Sequence, residues 1–146
     1  MPNDTLPPLN AARFRELFAS GPFDEATVLR LVPYYTDDVV FTDPIQTVRG
    51  LDAFIAMNRR LLSRAKEIRF EVRDMAESGD QIFVTWVMTM RAKLPAPVIR
   101  VEGVTHVTLR DGKVAVHKDY WDLLGSVMDT IPIVGTIYRA IVGLFG

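Results

Sequence analysis

Near the end of the chain, Gly112-Lys113-Val114-Ala115-Val116-His117-Lys118-Asp119-Tyr120-Trp121-Asp122 sets an imidazole two residues before a carboxylate and an indole two residues after it. The β-branched and aromatic content reads as a strand, and successive strand side chains point to opposite faces. Ala115, His117, Asp119 and Trp121 therefore share one side, and Val114, Val116, Lys118 and Tyr120 the other. If the His117 side meets the core, Asp119 enters an apolar interior, where an unpaired charge is costly and its proton affinity shifts. A carboxylate so placed suits general acid–base work, taking or delivering a proton while His117 tunes or relays it. The same two residues also suit a purely structural hydrogen-bonded pair, and both readings stay open.

A second carboxylate, Asp43, closes the short run Val39-Val40-Phe41-Thr42 and precedes Pro44. It is either a second acid–base group or an ordinary turn starter. Two carboxylates in one apolar cavity do not titrate alike, and the less solvated one holds its proton longer. Around them, Val84, Trp86, Met88 and Met90 alternate along one strand face, with Phe41 and Trp121 opposite and Thr105 as a further polar point. Large apolar side chains with a few convergent polar groups make a small-molecule site; the alternative is a filled core in which Met packs irregular gaps. His106 lies on the strand face opposite Thr105, which gives it a surface or interface role. Ser63, Ser78 and Ser126 lack any nucleophile motif and no Gly-rich phosphate loop is present, so hydrolysis through an acyl-enzyme is disfavoured.

Composition narrows the classes. The 146 residues carry a formal net charge of −1 with both signs interspersed, which excludes a phosphate-tracking surface and with it nucleic acid. With no Cys, disulfides, thiolate metal sites and Cys nucleophiles drop out together, and a reducing, cytoplasmic setting fits. The two histidines match no common metal spacing, and no cofactor or metal is expected. The polar, Pro-broken start does not read as a signal peptide; residues 1–9 read as a flexible arm and 10–146 as one domain.

The elements that must position these groups come in two blocks. Asn10 caps a helix over 11–20 with Phe14, Leu17 and Phe18 on one face, and Asp24 caps a second run through Val32, after which Tyr34 and Tyr35 form its extension or exit. Residues 39–42 read as a short strand. After Gly50, residues 51–65 carry Phe54, Ile55, Asn58, Leu61 and Leu62 at helical spacing. From Ile68 the period changes to alternation, giving strands over 68–77, 81–93, 98–109 and 114–121. They are joined by Ser78-Gly79-Asp80, Leu94-Pro95-Ala96-Pro97 and Arg110-Asp111-Gly112, which favour hairpins. The fold class is therefore α+β, a curved, mostly antiparallel sheet wrapped around N-terminal helices that leave a pocket. The run 131–145 carries Arg139 as its single charge and is too short to span a bilayer. Three roles stay open for it: a helix over the mouth of the sheet, half of a dimer interface, or a surface-bound membrane anchor, the last disfavoured by the missing basic flanks.

Helix, helix, short strand ending in Asp-Pro, helix and four-stranded meander resembles the cone-shaped superfamily of nuclear transport factor 2, ketosteroid isomerase, limonene epoxide hydrolase and SnoaL-like polyketide cyclases. Two segments carry the likeness. Tyr35-Thr36-Asp37-Asp38-Val39-Val40-Phe41-Thr42-Asp43-Pro44 is similar to the ketosteroid isomerase segment whose Asp before Pro abstracts a proton beside a carbonyl, which implies Asp43 as a base. The stretch from Gly112 to Leu123 is similar to the closing strand of limonene epoxide hydrolases, which implies Asp119 as a catalytic aspartate. Departures weigh equally. The isomerase's oxyanion donors, a Tyr and a protonated Asp, fall on Phe14 and Thr105, and Phe14 donates no proton. The hydrolases' Arg and second Asp fall on Trp86 and Met88, so the Asp-Arg-Asp relay is absent.

The resemblance implies a cystatin-like cone with an apolar C-terminal helix, acting without cofactor on a small apolar molecule. Asp119, Asp43 and His117 are the expected catalytic groups, and Phe14, Phe41, Trp86, Met88, Met90, Thr105 and Trp121 the expected ligand-binding ones. The activity class is an acid–base isomerase, cyclase or hydratase on a small apolar carbonyl compound. The alternative is a non-catalytic ligand-binding or dimerising adaptor, and a homodimer is expected in either case. The convex sheet face, with Lys118, Tyr120, His106 and Thr108, is a further surface open to partners.

Overall fold

Residues 6–19, 21–93, 98–127 and 131–145 are described by a computed structural model. The side chain of Asn10 accepts from the Arg13 N–H at 2.8 Å and opens α1 (Ala11–Ala19). Asp24 opens α2 (Glu25–Leu31) with a reciprocal capping box, accepting from the Thr27 N–H while the Thr27 hydroxyl faces the Asp24 N–H. These bonds, the backbone one foremost, hold the Asp24 carboxyl below its ordinary range. Pro33 then sits in a short 3₁₀ turn, Val32–Tyr34, which ends the helical run because proline has no N–H to give.

Tyr35, expected in the extension or exit of the helix, begins β1 (Tyr35–Thr42), four residues before the strand foreseen at 39–42. The short β2 (Thr47–Arg49), not foreseen, turns back on it, and α3 (Leu51–Arg64) follows Gly50. The long strands are β3 (Ala65–Ser78), β4 (Gln81–Ala92), β5 (Ile99–Arg110) and β6 (Lys113–Trp121), and two helices close the chain, α4 (Leu123–Ser126) and α5 (Pro132–Val142). The six strands form one sheet in the order β2-β1-β6-β5-β4-β3, antiparallel throughout except for the β1–β6 pair. This is the expected α+β cone. The hairpin expected at 94–97 lies outside the described residues, as do Ser20 and residues 1–5.

Curvature comes from bulges. β3 slips register against β4 between Ala65 and Glu67 and again between Val72 and Met75, and each extra residue bends and twists the strand. The bend brings the concave face around Phe14 and Leu17 of α1, Val28 and Leu31 of α2 and Phe54 of α3, which are buried against Ile68, Val84, Val101 and Val107 of the sheet. Each such side chain contributes about 1.5–3 kcal/mol by leaving water. The arm expected over 1–9 ends short of its last residue: Leu9 is buried, and its N–H donates to the Gly112 carbonyl at 3.0 Å. Asp111 and Gly112 both hold positive φ, 53° and 76°, as the two-residue hairpin between β5 and β6 requires.

A bulge in β6 decides what faces the interior. Leu109 opposes Val114 but Thr108 opposes Val116, so Ala115 is an extra residue. Strict alternation puts Val114 outside and Ala115 beside His117; the bulge corrects this, and Val114 and His117 are both buried while Val116 is exposed. From His117 onward the expected alternation holds.

Candidate functional site

The parallel register between β1 and β6 sets Phe41 opposite His117, and Thr42 opposite Lys118. β1 ends there. Its carboxyl end folds into a tight turn in which Oδ1 of Asp43 accepts from the Ile45 N–H at 2.8 Å and the Gln46 N–H at 2.9 Å. β6 runs on to Trp121 with no β1 partner beyond Lys118, and the missing neighbour leaves an open depression of about 490 Å³ lined by Thr42, Asp43, Pro44, Lys118, Asp119, Tyr120 and Trp121. The volume falls in the small-ligand range, although the depression is a rim feature rather than an enclosed chamber.

Behind the rim, a chain of hydrogen bonds runs across four strands. The indole N–H of Trp86 donates to the Thr105 hydroxyl at 2.8 Å, and that hydroxyl donates to Oδ1 of Asp119 at 2.5 Å. The same Oδ1 takes Nε2 of His117 at 2.9 Å, and Nδ1 of His117 lies 2.8 Å from the Tyr35 hydroxyl. The register supplies this alignment, since Val84, Thr105 and Asp119 form one row across β4, β5 and β6.

Proton positions follow from the chemistry of the ends. Tyr35 is 2 % exposed, and burial foremost, with the Asp119 charge as a lesser cause, raises its phenol above the ordinary value. The Asp119 carboxylate oxygen can only accept, so Nε2 of His117 carries a proton pointed at it, and in the neutral ring Nδ1 accepts from the Tyr35 O–H. The rings of Tyr35, Phe41 and Phe54 surround the imidazole at centroid distances of 5.9, 5.0 and 6.0 Å and keep water from it. The Asp119 side chain is 19 % exposed against 7 % for His117. Among the described residues nothing hydrogen-bonds its second oxygen, Oδ2, which is not buried. One oxygen is anchored by two donors and the other carries no hydrogen bond from a described residue.

The structure thus brings Asp119, Asp43 and Trp121 to one opening and sets His117 directly behind them. Phe14, Phe41, Trp86 and Thr105 lie deeper, buried in the core, with Met88 and Met90 partly buried against it. Trp86 packs its edge on Phe70 at 5.5 Å, and its ring lies over Gly103, where an added Cβ would come within 2.5 Å of the indole. His106 stacks on Phe83 at 4.4 Å on the outer face and bonds Gln81. The residue that sequence reasoning missed is Tyr35, 82 positions from its partner; only the β1–β6 pairing reveals it. Among the described residues no group of three or more His, Cys, Asp or Glu is placed to hold a metal, and no helix is long and apolar enough to cross a membrane.

The model of the SnoaL-like domain family matches residues 11–117. Solved structures share the fold. An NTF2-like protein of unknown function from Burkholderia pseudomallei K96243 superposes with a TM-score of 0.67 at 21 % identity, covering 77 % of this chain and 89 % of that one. A protein from Jannaschia sp. CCS1 described as a SnoaL-like polyketide cyclase gives 0.64 at 25 % identity over 74 % and 80 % of the two chains. An epoxide hydrolase of Mycobacterium tuberculosis, like the limonene enzyme, gives 0.58 at 15 % identity over 81 % and 85 %. No curated protein matches the sequence significantly.

Proposed function

Because this chain belongs to the SnoaL-like domain family, we propose that it is a cofactor-independent acid–base catalyst acting on a small apolar carbonyl compound seated in the rim depression. Oδ2 of Asp119 removes the proton from the carbon next to the carbonyl, and the electron pair of that C–H bond moves onto the carbonyl oxygen. In a β,γ-unsaturated carbonyl compound, return of that proton from Asp119 to the γ carbon completes an isomerisation; attack of the enolate carbon on a second carbonyl of the same molecule breaks its C=O π bond, and the resulting alkoxide takes the proton back from Asp119 to complete a cyclisation. His117 donates to Oδ1 throughout and steadies the carboxylate. The observation that carries this reading is the asymmetry of Asp119, a residue on the lining of the depression with one oxygen tied by two donors and the other unpartnered among the described residues. The likeness to a protein described as a polyketide cyclase supports the reaction class.

A second reading, a binding module without turnover, draws on the filled core: the depression is open and shallow, and Phe14, Phe41 and Trp86 are spent on packing. Deuterium incorporation from heavy water into a panel of small cyclic ketones and diketones, followed by NMR, separates the two. The catalyst exchanges the protons next to the carbonyl, and Asp119→Asn slows that exchange by about 10²–10⁴-fold. Ligand-induced shifts that survive Asp119→Asn, with no exchange above buffer in the parent protein, establish the binder instead and end the catalytic reading.

A further inference from the structure

Helix α5 is amphipathic with its apolar side turned away from the protein. Gly135 is its buried residue, whereas Ile133, Val134, Ile137 and Ile141 are 77, 37, 57 and 53 % exposed. At the helical period these four fall in a stripe about 100° wide, opposite Gly135 and Arg139. Leu144 and Phe145, 80 and 88 % exposed, continue the stripe past the last turn. Within the chain α5 packs on α4, and it contributes nothing to the lining of the rim depression. The expectation that this segment covers the mouth therefore does not hold for a single copy.

Three observations say what does cover it. Val134, Ile137, Ile141 and Leu144 are spaced by three, four and three residues, the period of a helix–helix seam, with β-branched residues at the two positions that in two-stranded coiled coils prefer them. The exposed aliphatic and aromatic side chains of 133–145 present on the order of 700 Å², close to the ~800 Å² per partner of a standard stable interface and above the patch size of ordinary monomers. Arg139 is the single charge in this stretch and lies on the opposite side, so the cationic face that holds a helix to anionic lipid is missing.

We propose that α5 is a dimerisation element that pairs with α5 of a second copy of this chain. The contact is isologous, the same stripe on both copies, with Val134, Ile137, Ile141 and Leu144 as its seam. It shares no residue with the rim depression, so it stands or falls apart from the catalytic reading.

Light scattering coupled to gel filtration, at micromolar concentrations, reads the outcome. The parent chain runs as a dimer. Ile137→Glu and Ile141→Glu, both at exposed positions outside the cone's core, keep the circular dichroism spectrum and weaken association by about 100-fold or more, which leaves monomers. Because the chain has no Cys, Ile141→Cys gives an unambiguous second readout, a disulfide-linked pair under mild oxidation. A monomeric parent overturns the proposal, and so does a dimer unchanged in both Glu variants, which would place the contact on another face. A monomer that floats with phosphatidylglycerol vesicles, and no longer does so as Ile137→Glu, overturns it in favour of lipid.

Discussion

The hydroxyl of Tyr35 stands 2.8 Å from Nδ1 of His117, although the two residues lie at the start of β1 and in the middle of β6. The Asp119 carboxylate only accepts, so Nε2 donates to it, and Nδ1 of the neutral imidazole is left to take the Tyr35 O–H. The Tyr35 hydroxyl, buried behind the ring, favours the tautomer that turns its proton toward the rim. Tyr35 touches nothing in the depression; it is a positioning residue acting through His117.

Removing that hydroxyl tests the arrangement. Tyr35→Phe keeps the ring stacked on Phe54 at 4.7 Å and leaves Nδ1 of a buried imidazole unpaired, a loss of about 1–3 kcal/mol in urea unfolding at neutral pH. The pH dependence has a definite sign. Burial raises the folded phenol above the ordinary value of 10.0, so the stability linked to it is complete below that pH. Above it the unfolded chain sheds the proton first, and stability falls by about 1.4 kcal/mol per pH unit for this group. The parent protein's advantage over Tyr35→Phe should therefore shrink as the pH climbs past the phenol value. Parallel stability curves for the two proteins would show that the hydroxyl is not held as described.

Thr105 links the indole to the carboxylate. Thr105→Val preserves volume but strands the Trp86 N–H and removes one of two donors from Oδ1 of Asp119. The expected loss is about 1–3 kcal/mol. Near-ultraviolet circular dichroism should also change, because the indole loses its anchor; an unaltered spectrum with unaltered stability means that the bond is not made.

Gly103 is required by the indole lying across it. Gly103→Ala places a methyl 2.5 Å from two ring atoms of Trp86 and 2.9 Å from the Tyr120 carbonyl, and the backbone on that side cannot yield. The ring has to tilt, at a cost of about 1–3 kcal/mol, and its N–H leaves Thr105. Altered Trp fluorescence together with lowered stability is the expected signature, and a variant as stable as the parent contradicts the packing.

How far the sequence reveals this depends on the range of each interaction. Hairpin turns, caps and alternation are local, so the meander, Asn10 and Asp24 as caps, and the shared strand face of His117 and Asp119 are legible from residue types. The relation of Tyr35 to His117 is not, because the parallel β1–β6 pairing joins segments about half the chain apart through no turn chemistry. The bulge at Ala115 is silent for a different reason: an alanine carries no preference that marks an extra residue, so Val114 reads as outward until the register is seen. The Trp and Met stripe is ambiguous in principle, since the same apolar alternation fills a core or lines a cavity. Only the positions of α1 and α3 decide that Trp86 and Phe41 are packed.

The two carboxylates at the rim have different work, and a pair of amide substitutions separates them. Asp43 spends Oδ1 on the Ile45 and Gln46 N–H groups that shape the turn beside the depression. Asn keeps an acceptor oxygen of the same reach, so Asp43→Asn preserves the turn and removes only the charge. Asp119→Asn removes the free carboxylate oxygen itself. If Asp119 is the base, ketone proton exchange in Asp43→Asn falls by only a few-fold, through the altered field at the opening, while Asp119→Asn loses about 10²-fold or more. The reverse order moves the chemistry to Asp43 and leaves the His117–Asp119 pair as scaffolding. The reading of the anchored and free oxygens predicts the first order, because a base already turned to its own backbone has less to offer a substrate than one held from behind.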